Sequence, residues 1–265
     1  EVIRGPGGTL WGANAVNGVI NIITKHTKNT HGGLLVIGGG SEERGFSNVT
    51  FGGQISERAD YRIYTKYFNR SSLVNAVGQA VNDGQQSLRG GGRMDWQVAE
   101  RDSLLLRGDI FRTTINETST NVTLLAPLVP FANTPGEFTG GNVLSRWTRT
   151  FSKQSSLALQ VYYYRFNGDI FDLGVSINTV DLDFQHRQQL GQRHEIIWGG
   201  GYRHVWDNSN GSLRTPVQFI PARETTRLAS VFAQDEIKLI KDRLRLIVGS
   251  KLQYFNREHD IASDV

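Results

Sequence analysis

The chain has 265 residues with 30 glycines, six prolines and 10% aromatics, and its Val, Ile, Leu, Tyr, Phe and Thr fall in short runs, a composition that favours strands over helices. The net charge of +4 comes from Lys and Arg spread along the chain without a basic cluster, which argues against nucleic acid as a partner; the lack of cysteine excludes disulfides, thiol catalysis and Cys-ligated metals. No stretch approaches the roughly 18 apolar residues of a membrane helix, whereas a membrane β-barrel, whose strands need only about 9 to 11 alternating residues, is compatible with a mean hydropathy of -0.35.

The first 25 residues, EVIRGPGGTLWGANAVNGVINIITK, hold two glycine clusters and then an apolar run. Gly5, Gly7 and Gly8 around Pro6 suit a tight turn, Gly12 and Gly18 allow close backbone packing, and Val19 to Ile23 read as a buried strand. A phosphate-binding loop fails here, because no Gly-Lys-Ser/Thr follows and Leu10 stands where a dinucleotide pattern needs its last glycine. There is no initial Met, basic n-region or apolar h-region, so the chain reads as an internal piece in which a small domain feeds into a barrel.

After residue 32, period-two alternation between turn signals predicts roughly eleven strands. Tight polar turns fall near Glu57 to Asp60, Glu100 to Asp102, Lys153-Gln154, Gly191 to Arg193 and Lys241 to Arg243. Longer connections are expected over Ser71 to Gln86, Asn116 to Gly140, Asn167 to Val175 and Asp207 to Ala222, with a short one near Ser41 to Arg44. Pro127, Pro130, Pro135, Pro216 and Pro221 fall in the longer segments, where a missing N–H breaks no ladder. Short turns at one end and long loops at the other describe an up-and-down outer-membrane barrel.

Leu244, Leu246, Val248, Leu252 and Tyr254 share one parity while Arg245, Lys251 and Gln253 share the other, with Ile247 the exception. Leu157, Leu159, Val161 and Tyr163 likewise face away from Gln160. A half-exposed soluble sheet alternates in the same way but leaves the sorted loops unexplained. Strands such as Arg193 to Trp206 and Arg223 to Leu239 exceed what the apolar band requires, so their ends should project above the outer leaflet. An odd number of strands leaves the chain ending on the long-loop side, and an open sheet in lipid would expose unpaired N–H and C=O groups, so such a piece is not expected to close alone.

Ile3-Arg4-Gly5-Pro6, Trp11-Gly12-Ala13-Asn14-Ala15 and Gly18-Val19-Ile20-Asn21-Ile22-Ile23-Thr24 resemble the end of the plug domain in TonB-dependent outer-membrane receptors. Phe232-Ala233-Gln234-Asp235-Glu236 resembles a barrel strand of that family. The resemblance implies an all-β fold, with residues 1–28 ending the plug and residues 32–265 forming the first half of an antiparallel barrel of about 22 strands. The plug motif is then Arg4, Gly5, Pro6, Gly12, Asn14, Ala15 and Gly18.

The same resemblance implies active uptake of a scarce ligand, most commonly a ferric siderophore, with cobalamin, haem and carbohydrates as other family cargoes. The inner-membrane TonB complex would pull on the plug through a region upstream of this chain, and outer-membrane lipid would surround the barrel. Plug arginines in the family are held by barrel glutamates, so Arg4 and Glu236 are the expected plug–barrel lock, with Glu236 on the parity opposite Ile237 and Leu239. Phe131, Phe138, Phe171, Trp206, Arg214, Phe219 and Arg223 are candidates for contact with an anionic, aromatic ligand, with an interfacial girdle or loop packing as the alternative role.

No cofactor, metal site or catalytic residue is expected. A passive porin is the rival, although it would begin directly with a strand. A membrane-barrel hydrolase would need a Ser or Asp to meet one of His186, His194 and His204 on one face. Those histidines lack metal-ligand spacing, and a lumen wall accounts for Asp181 and Asp183.

Overall fold

The computed structural model describes residues 2–4, 17–119, 132–170, 173–210, 219–240 and 243–260. A two-stranded antiparallel sheet pairs β1 (Val2–Arg4) with β2 (Gly18–Ile20), and a short 3-10 turn follows at Thr27–Asn29. Eleven strands then form one antiparallel meander: β3 (Gly32–Gly38), β4 (Glu43–Ser56), β5 (Ala59–Arg70), β6 (Gln85–Ala99), β7 (Asp102–Ser119), β8 (Ala132–Ser152), β9 (Ser155–Ile170), β10 (Leu173–Leu190), β11 (His194–Asn210), β12 (Arg223–Ile240) and β13 (Leu244–Asp260). Each pairs with its sequence neighbours, and β3 and β13 are the two edges. The expected number of strands after residue 32 is met.

The register explains why the sheet needs no core. Across β5 to β13 one row of directly opposed residues reads Ala59, Trp96, Leu104, Trp147, Leu159, Phe184, Gly200, Val231 and Leu252. One residue along, the opposite face reads Asp60, Asp95, Leu105, Arg146, Gln160, Asp183, Gly201, Ser230 and Gln253. An apolar row backed by a polar one across nine strands is the pattern of lipid outside and water inside.

Burial agrees. Ala59 is the one buried apolar residue among those described, while Leu252, Tyr254 and Ile110 stay about two-thirds exposed or more, at 70%, 67% and 72%. The accessible surface is 18385 Å², against about 11,500 Å² for a soluble monomer of this mass. Leu244, Leu246, Val248, Leu252 and Tyr254 fall on the apolar face, and Arg245, Lys251 and Gln253 on the other, as their parity predicts.

The short turns near Glu57 to Asp60, Glu100 to Asp102, Lys153-Gln154 and Gly191 to Arg193 sit where expected, Lys241 and Asp242 of the fifth lie outside the described residues, and two of the longer connections differ. β9 and β10 pair as far as Ile170↔Leu173, so Asn167 to Val175 is nearly all strand, with only two residues between. β7 and β8 pair as far as Ser119↔Ala132, which absorbs much of Asn116 to Gly140. These extensions carry no regular apolar stripe, since strands projecting into water keep their ladder without one, and alternation gives no sign of them. Pro135 therefore belongs to β8, opposite Asn116, beyond the point where pairing with β9 begins at Glu137, an edge position that tolerates a missing N–H.

Candidate plug–barrel junction

The inner face of β5, β6 and β7 carries an unusual charge pattern. Arg62, Arg93 and Arg107 stand directly opposite one another in register, and Lys66 and Arg89 oppose each other further along. Like charges in opposed positions destabilise a sheet unless anions intervene. Asp95 supplies one: Arg93 grips it with two parallel bonds, Nε to Oδ2 at 2.8 Å and Nη2 to Oδ1 at 2.7 Å. The pair is nearly excluded from water, with Arg93 12% and Asp95 9% exposed. In such surroundings, removing one partner costs about 3 to 5 kcal/mol.

The segment between β2 and β3 docks on this pair. Thr27 is wholly buried; its backbone N–H donates to Asp95 Oδ2 at 2.9 Å, and its hydroxyl donates to the same oxygen at 2.8 Å. Arg93 also donates to the Thr24 hydroxyl. His31 Nε2 lies 2.7 Å from Asp60 Oδ1, adding a second fastening on β5. The 3-10 turn is shaped locally, since His26 Nδ1 accepts from the Lys28 N–H at 3.2 Å and the Thr30 N–H donates to the Thr27 carbonyl at 2.9 Å.

Gly52 on β4 completes the seat: a Cβ there would lie 2.2 Å from the Thr30 carbonyl oxygen, so only glycine admits the linker this close. Beside the junction a cavity of about 310 Å³ is bordered by Ile22, Thr24, Arg62, Arg107 and Asp109. Arg62 and Arg107 have no ion pair among the described residues, so this part of the wall presents net positive charge to the lumen.

Glu236 lies on the inward face, as its parity predicts, near the short-turn end of β12. It stands directly opposite Glu195, and each carboxylate has an arginine: Arg245 Nη1 is 3.1 Å from Glu236, and Arg187 Nε is 2.5 Å from Glu195. The backbone of Arg4 pairs with Gly18, which has φ 153°, a conformation suited to glycine. The rest of the plug motif, Gly5, Pro6, Gly12, Asn14 and Ala15, lies outside the described residues, as do Phe131, Phe171 and Arg214.

Phe138 shares the inward face with Phe166, their rings stacked 6.1 Å apart. Trp206 has outward parity, its ring 5.2 Å from that of His204. Phe219 and Arg223 are exposed at the start of β12 and just before it. His186, His194 and His204 all have outward parity. His186 meets Ser155 at 3.1 Å, but no carboxylate orients it among the described residues, while His194 pairs separately with Asp235 at 2.7 Å. Sequence reasoning gave no site role to Thr24, Thr27, His31, Asp60, Arg93 or Asp95. The available signal was two aspartates at inward parity close to short turns.

No family model matches the chain. Over 123 residues it is 32% identical to the probable TonB-dependent siderophore receptor PirA of Acinetobacter baumannii, a stretch covering 40% of the chain and 16% of that protein. Over 50 residues it is 44% identical to the vitamin B12 transporter BtuB of Vibrio vulnificus, covering 19% of the chain and 8% of that protein. Among solved structures, the ferric-catecholate import receptor Fiu of E. coli K12 superposes with TM-score 0.75 at 13% identity, over 97% of this chain and 45% of that one.

A meander wall with one apolar and one polar face, holding an N-terminal tail against its polar side, is the architecture of part of an outer-membrane β-barrel. In fold the chain is similar to solved outer-membrane import receptors, and in local sequence to a TonB-dependent siderophore receptor. It spans less than half the length of that solved receptor.

Proposed function

We propose that the whole protein imports a scarce ligand, a ferric siderophore, across the outer membrane by TonB-dependent active transport. The observation that carries this reading is the docking of residues 24–31 on the inner wall, since a barrel that ties down the end of an N-terminal domain is built to be plugged. In this reading residues 1–28 end the plug and residues 32–265 belong to the barrel, although the docked turn straddles that boundary. TonB engages the plug upstream of the chain, and lipid covers the apolar face. The longer curated match, to a siderophore receptor, favours an iron chelate over cobalamin.

Arg4 joins Glu236 as the plug–barrel lock by entering the group that already contains Glu195, Arg187 and Arg245. The pair of opposed carboxylates gives the site room for another cation. Phe138, Phe219 and Arg223 remain candidates for ligand contact. Arg4→Ala in the full-length receptor should lower uptake and raise protease sensitivity of the plug; if both are unchanged, Arg4 has no part in the lock. Transport itself is tested with radio-iron siderophore in whole cells. Uptake should fall to background when the proton-motive force is dissipated, and uptake that persists would overturn the proposal.

A further inference from the structure

We infer that Asp95 is a positioning residue that pins residues 24–31 to the barrel wall and thereby keeps the N-terminal domain seated in the lumen at rest. Its purpose rests on the plug reading above; its geometry does not. One oxygen of Asp95 accepts three bonds, from the Thr27 N–H, the Thr27 hydroxyl and Arg93 Nε. Arg93 uses its remaining reach on Thr24, so guanidinium and carboxylate together hold both ends of the Thr24–Thr27 step. A buried ion pair of the wall alone would not need a partner from another segment, whereas here the linker supplies two of the donors to the carboxylate.

The surroundings favour a fixed anchor. Thr27 is the largest wholly buried side chain among the described residues, in a sheet with almost no interior. The Thr30 carbonyl presses on Gly52, and His31 is tied to Asp60, so three successive strands, β4, β5 and β6, each hold the linker at a separate point. By contrast Ile22 and Ile23, immediately upstream, are 79% and 78% exposed. The change from exposed to pinned chain occurs at Thr24.

The test uses the full-length receptor in outer membranes of cells lacking TonB, so that its outcome is independent of energised transport. Thr27→Val removes only the hydroxyl donor and leaves the Arg93–Asp95 pair intact; Asp95→Ala removes the acceptor; Thr27→Ser serves as the conservative control. Two readouts are taken: the rate of tryptic cleavage after Lys25 and Lys28, and the entry of vancomycin, which an occupied barrel excludes. Heat-modifiable gel mobility confirms that each barrel is folded.

Thr27→Val should raise both readouts by about tenfold, Asp95→Ala by more, and Thr27→Ser should match the wild type. A folded Thr27→Val receptor with wild-type cleavage and exclusion would overturn the inference. Faster cleavage with unchanged exclusion would overturn its claim about seating. Failure of the energised uptake experiment, with these results as expected, would remove the transport reading and leave the anchor standing.

Discussion

Gly52 shows how much of the junction depends on single atoms. Gly52→Ala places a methyl group against the Thr30 carbonyl, and neither backbone can yield without disturbing the β4 ladder. The full-length receptor carrying it should lose about 1 to 3 kcal/mol, read as a lower midpoint in urea-driven unfolding from bilayers. An unchanged midpoint would mean that the linker can lift away freely. Nothing of this was legible in the sequence, because Thr27 and Asp95 are 68 residues apart and each is an ordinary polar residue in its own neighbourhood. Glu236 was different. Its inward placement followed from parity alone, although the arginine it meets, Arg245, could be found only once β12 and β13 were in register.

At the level of the strands, two rows one residue apart meet different solvents, and substitutions on them should differ accordingly. Leu252→Arg puts a cation on the apolar face and should destabilise folding into bilayers by about 2 to 4 kcal/mol if it lies near the midplane. Gln253→Arg, on the polar row, should change stability by less than about 1 kcal/mol. Equal losses for the two would contradict the assignment of faces. These faces were legible because Leu244, Leu246, Val248, Leu252 and Tyr254 alternate with Arg245, Lys251 and Gln253, despite Ile247 and Phe255 on the polar side. The extents of β7, β8, β9 and β10 were not. Residues such as Asn116, Glu117, Thr118 and Ser119 are held in strand by their pairing partners and have no apolar periodicity to announce it.

The described residues form a wall with almost no interior, so its stability must come from ladders and from its surroundings more than from packing. With β3 and β13 both open, the 265-residue chain alone should not yield a stable monomer in lipid bilayers, since each edge leaves backbone groups unpaired. Refolded alone it should show no heat-modifiable band, or should assemble edge to edge; a stable monomeric band would show that the edges are satisfied in another way. The open edge also gives the anchored linker a mechanical meaning. β3 starts at Gly32, a few residues beyond Thr27, and its first pair is Gly32↔Gly52. A pull arriving through Thr24 with nothing to stop it would reach that pair end-on and peel β3 from β4 like a zipper, one rung at a time. Diverted at Thr27 into a carboxylate on β6, the tension is spread sideways over several paired strands at once. Under the proposed transport reading, repeated pulls on the tail would then leave the first strand of the sheet paired.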